Sequence, residues 1–203
     1  MTIDDDPAIL NPRSRYVRLG YLTPFESDYV LTVGDHTGGT KRGVKLTPTH
    51  FELISSLDPT VNDRQFTNEE LGLLGWLAGQ GFIALIADDA HPDEFAIIPV
   101  PRQEMSYEEI LTEGYRVRAG DNEPFFVSEL GARFLSLIDG QRTLGQIAEK
   151  VKENLLSDPE GRVSVLQNES EYGRTLNQFL SEEAFGLIQS ALTSGAITFE
   201  PTA

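Results

Sequence analysis

The feature that most constrains this chain is an internal repeat, because a sequence that aligns with itself folds as related units. Leu71–Leu85 reads LGLLGWLAGQGFIAL, and Phe185–Phe199 reads FGLIQSALTSGAITF. At a constant offset of 114 residues, two glycines, a leucine and an isoleucine coincide. Each segment has a helical apolar period that stops at a glycine and continues into a short β-prone run. We interpret both segments as a helix followed by a strand.

Two further pairs of segments support the duplication and lie in the same order along the chain. Thr47–Asp58 aligns with Ser128–Asp139 at an offset of 81, and residues 17–20 align with residues 117–120 at an offset of 100. Because the offset grows from 81 to 114, the second half carries 33 more residues between its first and last helix. We expect these residues to supply a middle helix, over about Thr143–Leu155, that the first half lacks.

The order of elements predicts an α+β fold. Each half reads as two short strands, a first helix, a last helix and a closing strand, and this order is typical of winged-helix modules. We therefore expect two tandem winged-helix-like modules, each with N-terminal β-strands packed on a helical group. The expected boundaries are a flexible acidic tail over residues 1–14, a degenerate module over 15–103 and a complete module over 104–203, with Pro99 and Pro101 at the junction.

Capping residues predict where several helices begin. Thr47 and Ser128 are hydroxyl N-caps for the first helix of each half, and Thr67 forms a capping box with Glu70. In each half, two β-prone runs come before the first helix. Asp28–Gly34 and Lys41–Leu46 are expected to form a hairpin.

Other local predictions rest on the same signals. Ser106 and Glu109 have capping-box spacing, which predicts a short helix, and Ser181 is expected to begin the last helix. Ser157–Glu169 is polar and is interpreted as a loop. Trp76 lies within a predicted helix, where we expect it in the core or at an interface.

Composition excludes several classes of function. The chain has 32 acidic and 16 basic side chains, a formal net charge of −16 and no cysteine. A surface of this charge repels the phosphate backbone, so we expect no nucleic-acid partner. The sequence shows neither a secretory signal nor an apolar run long enough to cross a membrane, so we expect a cytoplasmic protein without a membrane partner.

The sequence shows no constellation typical of an enzyme. Its three histidines lack metal-binding spacing, no phosphate-binding glycine motif is present, and no carboxylate pair has a sequence reason to be buried together. We therefore expect no catalytic residue, no metal and no cofactor. A binding module is the better interpretation, because an exposed strand edge beside a helix can accept an extended peptide as a further strand.

The second half resembles a known family. The run Pro124–Val151, PFFVSELGARFLSLIDGQRTLGQIAEKV, with a last helix ending in TSGAITF, is similar to PqqD-like proteins, also called RiPP precursor recognition elements. The similar features are an apolar strand entering a capped helix, an Asp-Gly pair at Asp139, a second helix led by Thr143 and a last helix closing at Gly195. The resemblance covers about Tyr115–Phe199, while the first half matches more loosely.

The resemblance implies a non-catalytic protein that binds the leader of a ribosomal precursor peptide and presents it to a peptide-modifying enzyme. In that family the leader adds beside the strand that precedes the first helix and packs on the last helix. By position, the peptide-binding residues expected here are Phe125, Phe126, Val127, Phe185, Ile188, Gln189 and Leu192. A second groove at the equivalent place in the first half would use Val44, Leu46, Leu71, Leu74 and Ala78.

Three alternatives remain open from the sequence. The chain could be an acidic tandem winged-helix scaffold or adaptor subunit, as in kleisin-binding subunits of chromosome-condensing complexes. It could instead be a transcription regulator, although neither last helix carries a Lys or Arg before its glycine stop. One unit could also serve homodimerisation through Trp76 or the strands that follow it.

Overall fold

The structure, a computed structural model, describes residues 14–34, 41–60, 64–87, 90–110, 114–163, 173 and 175–201 and shows a mixed α+β fold. The acidic tail predicted for residues 1–14 lies outside this part, apart from Ser14. The strands are β1 Ser14–Arg18, β2 Tyr21–Phe25, β3 Asp28–Val33, β4 Arg42–Leu46, β5 Ile83–Ala87, β6 Ile97–Pro101, β7 Met105–Ile110, β8 Gly114–Ala119, β9 Phe125–Val127 and β10 Ile197–Pro201. The longer helices are α1 Pro48–Ser55, α2 Asn68–Gly79, α3 Glu129–Ser136, α4 Leu144–Ser157 and α5 Leu176–Ser194.

Four small antiparallel sheets are formed by the described strands. Two are three-stranded meanders, β2-β3-β4 and β7-β8-β9, as expected when neighbouring strands along the chain pair directly. The other two are pairs of distant strands: β1 with β5, and β6 with β10. Each half therefore begins with a strand that pairs with the strand closing the same half.

The registers of these sheets show that the two halves repeat one topology. Arg18 pairs with Ile83 in the first half, as Pro101 pairs with Ile197 in the second. The backbone N–H of Leu19 donates to the carbonyl of Phe82 at 3.0 Å, and that of Arg102 donates to Ala196 at the same distance. The offset of 114 thus matches β5 with β10, and the offset of 81 matches α1 with α3.

One of the three sequence alignments is wrong. Residues 17–18 are the end of β1, which pairs with β5, and residues 19–20 follow it. Residues 117–119 are the end of β8, which is the central strand of the β7-β8-β9 meander. The structural equivalent of β1 is β6, which lies 83 residues later in the same register. A shared Val-Arg and a glycine produced the false match.

The capping predictions hold at the start of three helices and fail at Ser106 and Ser181. Thr47 and Ser128 are N-caps of α1 and α3, and Thr67 forms its predicted box with Glu70 at α2. The middle helix α4 also begins with a cap, Thr143, which was predicted only as its first residue. The last helix begins earlier than predicted, because Thr175 and Gln178 form the capping box of α5. Ser181 lies inside that helix.

Two segments were assigned wrongly from local signals. Residues 105–110 form β7 and not a helix, since no apolar helical period follows Ser106 and the segment pairs with β8 over its whole length. The polar stretch after α4 is partly helical, over residues 159–163. The predicted middle helix is α4, and the described parts of the shorter link in the first half, 56–60 and 64–67, contain no helix.

A single hydrophobic core joins the two halves. Phe95, before β6, packs on Phe185 of α5 with ring centroids 5.0 Å apart, and its carbonyl accepts a hydrogen bond from Gly145 N–H at 3.0 Å. Gly20 N–H of the first half donates to Phe199 of β10 at 2.7 Å. β6 lies before the boundary that was expected after residue 103, and β10 lies after it. That boundary therefore divides two strands that are hydrogen-bonded to each other.

Two surface observations complete the fold. Trp76 is 51% exposed on α2, so it does not lie in the core, one of its two predicted places. None of the helices in the described part of the chain combines the length and the apolar character needed to cross a membrane.

Candidate functional site

The candidate site is built on β9, an edge strand of the β7-β8-β9 sheet. β9 pairs with β8 on one side, and no described strand pairs with its other side. Pro124 precedes the strand and the N-cap Ser128 follows it, which confines it to three residues. Because alternate residues of an antiparallel strand direct their N–H and C=O groups away from the partner, the outer edge offers hydrogen-bonding groups to an added strand.

The side chains of β9 alternate between the core and the surface. Phe125 is half-buried and Val127 is buried on the core side, while Phe126 is 65% exposed, the highest value among the large apolar side chains of the described residues. Phe126 lies opposite Arg116, and Arg116 lies opposite Glu108 at 3.7 Å between Nη1 and Oε2. The outer face of the sheet thus presents an aromatic ring beside a charged pair at its free edge.

A cavity of about 360 Å³ continues from the end of β9 between α3, α4 and α5. Ser128 organises its near wall, since its hydroxyl accepts from Gly131 N–H at 2.9 Å and donates to Glu183 at 2.7 Å. The cavity is lined by Ser128, Glu129, Leu130, Arg133, Leu155, Asp158, Glu160, Gly161, Phe179 and Glu183. Four carboxylates and one guanidinium give this cavity an acidic character.

Arg133 forms an ion pair with one of those carboxylates. It forms an i,i+4 ion pair with Glu129 at 2.7 Å on α3. Glu183 is held by Ser128, and Asp158 accepts hydrogen bonds from the backbone N–H groups of Glu160 and Gly161. Three of the four carboxylates, those of Glu129, Asp158 and Glu183, are therefore held by hydrogen bonds or an ion pair. With one guanidinium against four carboxylates, the formal charge of the lining is negative.

Three of the predicted peptide-binding residues lie in the core. Val127, Phe185 and Ile188 are buried, and Ile188 is completely covered. Phe185 packs on Phe95, and the guanidinium of Arg15 lies 4.3 Å from its ring centroid. Their side chains support the strand and the helix but offer no surface to a peptide, and Phe185 is covered by Phe95 and Arg15 of the first half.

The remaining predicted residues divide between two places. Phe125 and Phe126 lie on β9, next to the acidic cavity. Gln189 and Leu192 are half-buried on the later turns of α5, and Leu192 lines a different cavity between the two halves. Phe179 was missed as a lining residue because the last helix was expected to begin at Ser181; the Thr175–Gln178 spacing was the available signal. Glu183 lies on the predicted helix, but no local signal links it to Ser128, 55 residues earlier.

The equivalent strand of the first half has a different surface. Leu46 and Leu74 lie in the core and half-buried Val44 packs against it, while Leu71 and Ala78 are half-buried on α2. The position equivalent to Phe126 is Lys45, which forms an ion pair with Asp28 at 2.7 Å. This edge therefore presents a paired lysine where the second half presents an exposed aromatic ring.

Within the described residues, no group of three or more His, Asp or Glu side chains is arranged to hold a metal ion. No protein-family model, no curated protein and no solved structure matches the chain.

Proposed function

We propose that this protein is a non-catalytic peptide-binding protein that takes up the leader of a ribosomal precursor peptide and presents the peptide to a modifying enzyme. In this proposal the two halves are related winged-helix-like units, and the second unit carries the recognition surface. Its order, three strands and then three helices, is compatible with the resemblance to PqqD-like recognition elements.

The observation that carries the proposal is the free edge of β9 with Phe126 at its centre. Backbone groups on that edge can form a ladder with an extended peptide, and Phe126 can cover an apolar side chain of the added strand. An exposed phenylalanine beside an unpaired strand edge promotes aggregation when no partner covers it. This favours a role for Phe126 in binding a partner.

The acidic cavity indicates the chemistry of the peptide. A strand lying on β9 would run toward Ser128 and the carboxylates of Glu129, Asp158, Glu160 and Glu183. Their charge favours Lys or Arg side chains, which carry the opposite charge. We therefore expect a leader that has an apolar residue beside Phe126 and basic residues near one end of the bound segment.

The direct test is a fluorescence-polarisation titration. The probe is a fluorescein-labelled leader segment of a short precursor encoded beside the gene for this chain. We expect a saturable rise in polarisation, while a scrambled peptide of the same composition gives none. A second control carries N-methyl groups on alternate residues, which remove ladder donors, and we expect it to bind at least tenfold more weakly. An absence of saturable binding by protein with intact circular dichroism would contradict the proposal.

A second candidate function is an acidic scaffold or adaptor subunit, and the exposed Trp76 favours it. Exposed tryptophan is enriched at protein interfaces, and Trp76 lies on α2, away from β9. A large protein that co-purifies stably with the chain and is released by changing Trp76 would favour this role. Because α2 and α5 carry no Lys or Arg, they support a protein partner over DNA in either case.

A further inference from the structure

A second cavity, of about 260 Å³, lies between the two halves and is separate from the β9 surface. Its walls come from β1, β2, α1, the turn after β6, the end of α5 and β10. The lining residues are Arg18, Gly20, Tyr21, Leu22, Phe51, Ser55, Arg102, Leu192, Gly195, Ile197 and Thr198. Neither half forms this cavity alone.

Two arginines border the cavity, and neither forms an ion pair with a carboxylate of the described residues. The guanidinium of Arg18 forms no ion pair or hydrogen bond with the described residues, and its Nε is buried without a partner. Arg102 contacts the ring of Tyr21, with its Cζ 5.0 Å from the centroid, and its side chain pairs with no described carboxylate. None of the described lining residues is Asp or Glu.

This arrangement is unexpected in a chain with twice as many acidic as basic side chains. Arg18 is half-buried, and its buried Nε is unfavourable because no hydrogen bond from the described residues replaces its lost water. Burial accordingly lowers the pKa of Arg18 from its ordinary value. Elsewhere in the described structure, Arg133 and Arg142 pair with carboxylates on their own helix or loop. A bound anion would supply the partner that the buried Nε of Arg18 lacks, and the exposed guanidinium of Arg102 lies at the same cavity to reinforce it.

The rest of the lining selects among anions. The hydroxyls of Ser55 and Thr198 can donate to an oxyanion, whereas Tyr21, Phe51 and Leu192 form an apolar wall. Guanidinium matches carboxylate oxygens in a forked geometry. We propose that this cavity binds the carboxylate of an organic acid with a small apolar body, either a free acid or the C-terminal end of a peptide.

Isothermal titration calorimetry with defined probes tests the site. The probes are benzoate, its neutral counterpart benzamide, the tripeptide Ala-Ala-Phe, the same tripeptide with an amidated C-terminus, and inorganic phosphate. We expect saturable binding of at least one carboxylate and none of either amide. Binding of benzoate alone identifies a free acid as the ligand type, and preference for the tripeptide identifies a peptide end; both support the proposal. No saturable heat from either carboxylate would overturn it, as would inorganic phosphate binding as tightly as the best carboxylate.

Variants separate a binding role from a structural one. In Arg18→Met we expect at least tenfold weaker carboxylate binding and a melting temperature equal to or above that of the wild type, since a buried nitrogen without a hydrogen-bond partner is removed. Arg142→Met, which changes a paired arginine on the surface, is the matched control and should keep the wild-type affinity. Unchanged affinity in Arg18→Met would overturn the proposal.

Discussion

Replacing Phe95 with alanine is expected to lower the free energy of unfolding by about 3–5 kcal/mol, the usual loss when a buried phenylalanine becomes alanine. Phe95 is fully buried, contacts the ring of Phe185 and precedes the strand that pairs with β10. Its removal leaves a cavity between the halves and so weakens both. Urea unfolding followed by far-ultraviolet circular dichroism and by tryptophan fluorescence measures the effect.

Tryptophan fluorescence and a control variant, Phe25→Ala, show whether the loss of stability in Phe95→Ala comes from the core that the two halves share. Trp76 is the single tryptophan and lies in the first half, on α2, so its fluorescence reports on that half. Phe25→Ala changes a phenylalanine that is 51% exposed on β2, and we expect a loss of about 1 kcal/mol or less. A fluorescence transition of Phe95→Ala that stays at the wild-type midpoint would show that the halves unfold separately and contradict the shared core.

Replacing Phe126 with aspartate is expected to weaken leader binding by about 10- to 100-fold. The estimate corresponds to losing the burial of one phenylalanine side chain, about 1.5–3 kcal/mol. Because Phe126 points away from the core, the variant should keep the wild-type melting temperature. Fluorescence polarisation with the labelled leader measures the change, and Phe25→Asp is the matched control on an edge strand of the other meander.

An unchanged affinity in Phe126→Asp would move the site away from β9, to the equivalent edge of the first half or to Trp76. Charged replacements of Ile188 cannot serve the same purpose. Ile188 is completely buried, so a charge there disrupts the core whether or not a peptide binds nearby.

The sequence predicted the elements that local patterns control. Hydroxyl caps and glycine stops located α1, α2 and α3, and the offset of 114 correctly matched β5 with β10. These features depend on residues close together in the chain, where capping and periodicity act. Aligning the sequence with itself locates equivalent elements of the two halves, and this requires no knowledge of tertiary contacts.

The pairing of distant strands was not predictable in the same way. The alternation of apolar and polar residues in β1 or β6 does not indicate which strand pairs with it. Pro99 and Pro101 in β6 are typical of a linker or an edge strand. The Ser106–Glu109 spacing satisfies a capping rule but lies in a strand, since the tertiary pairing with β8 overrides a weak local signal.

The candidate site was predicted in part. The local pattern before the capped helix predicted a short strand at Phe126, and the structure confirms it. That this strand offers its edge to a peptide was only an implication of the family resemblance; the structure shows it as an edge strand. The burial of Phe185 does not follow from the sequence of its own helix, because Phe95 and Arg15 of the first half cover it. Residues supplied by distant segments, such as Leu155 beside Phe179 in the acidic cavity, had no local signal.

Hydrogen exchange at β9 tests strand addition most directly. Amide exchange of Phe125–Val127 is measured by mass spectrometry or NMR, with and without the leader peptide. If the peptide adds as a strand, the outward amide of β9 exchanges at least tenfold more slowly in the complex, while the amides of β4 are unchanged. Saturating peptide that leaves β9 exchange unaltered, or that slows exchange only in β4, would contradict the central claim.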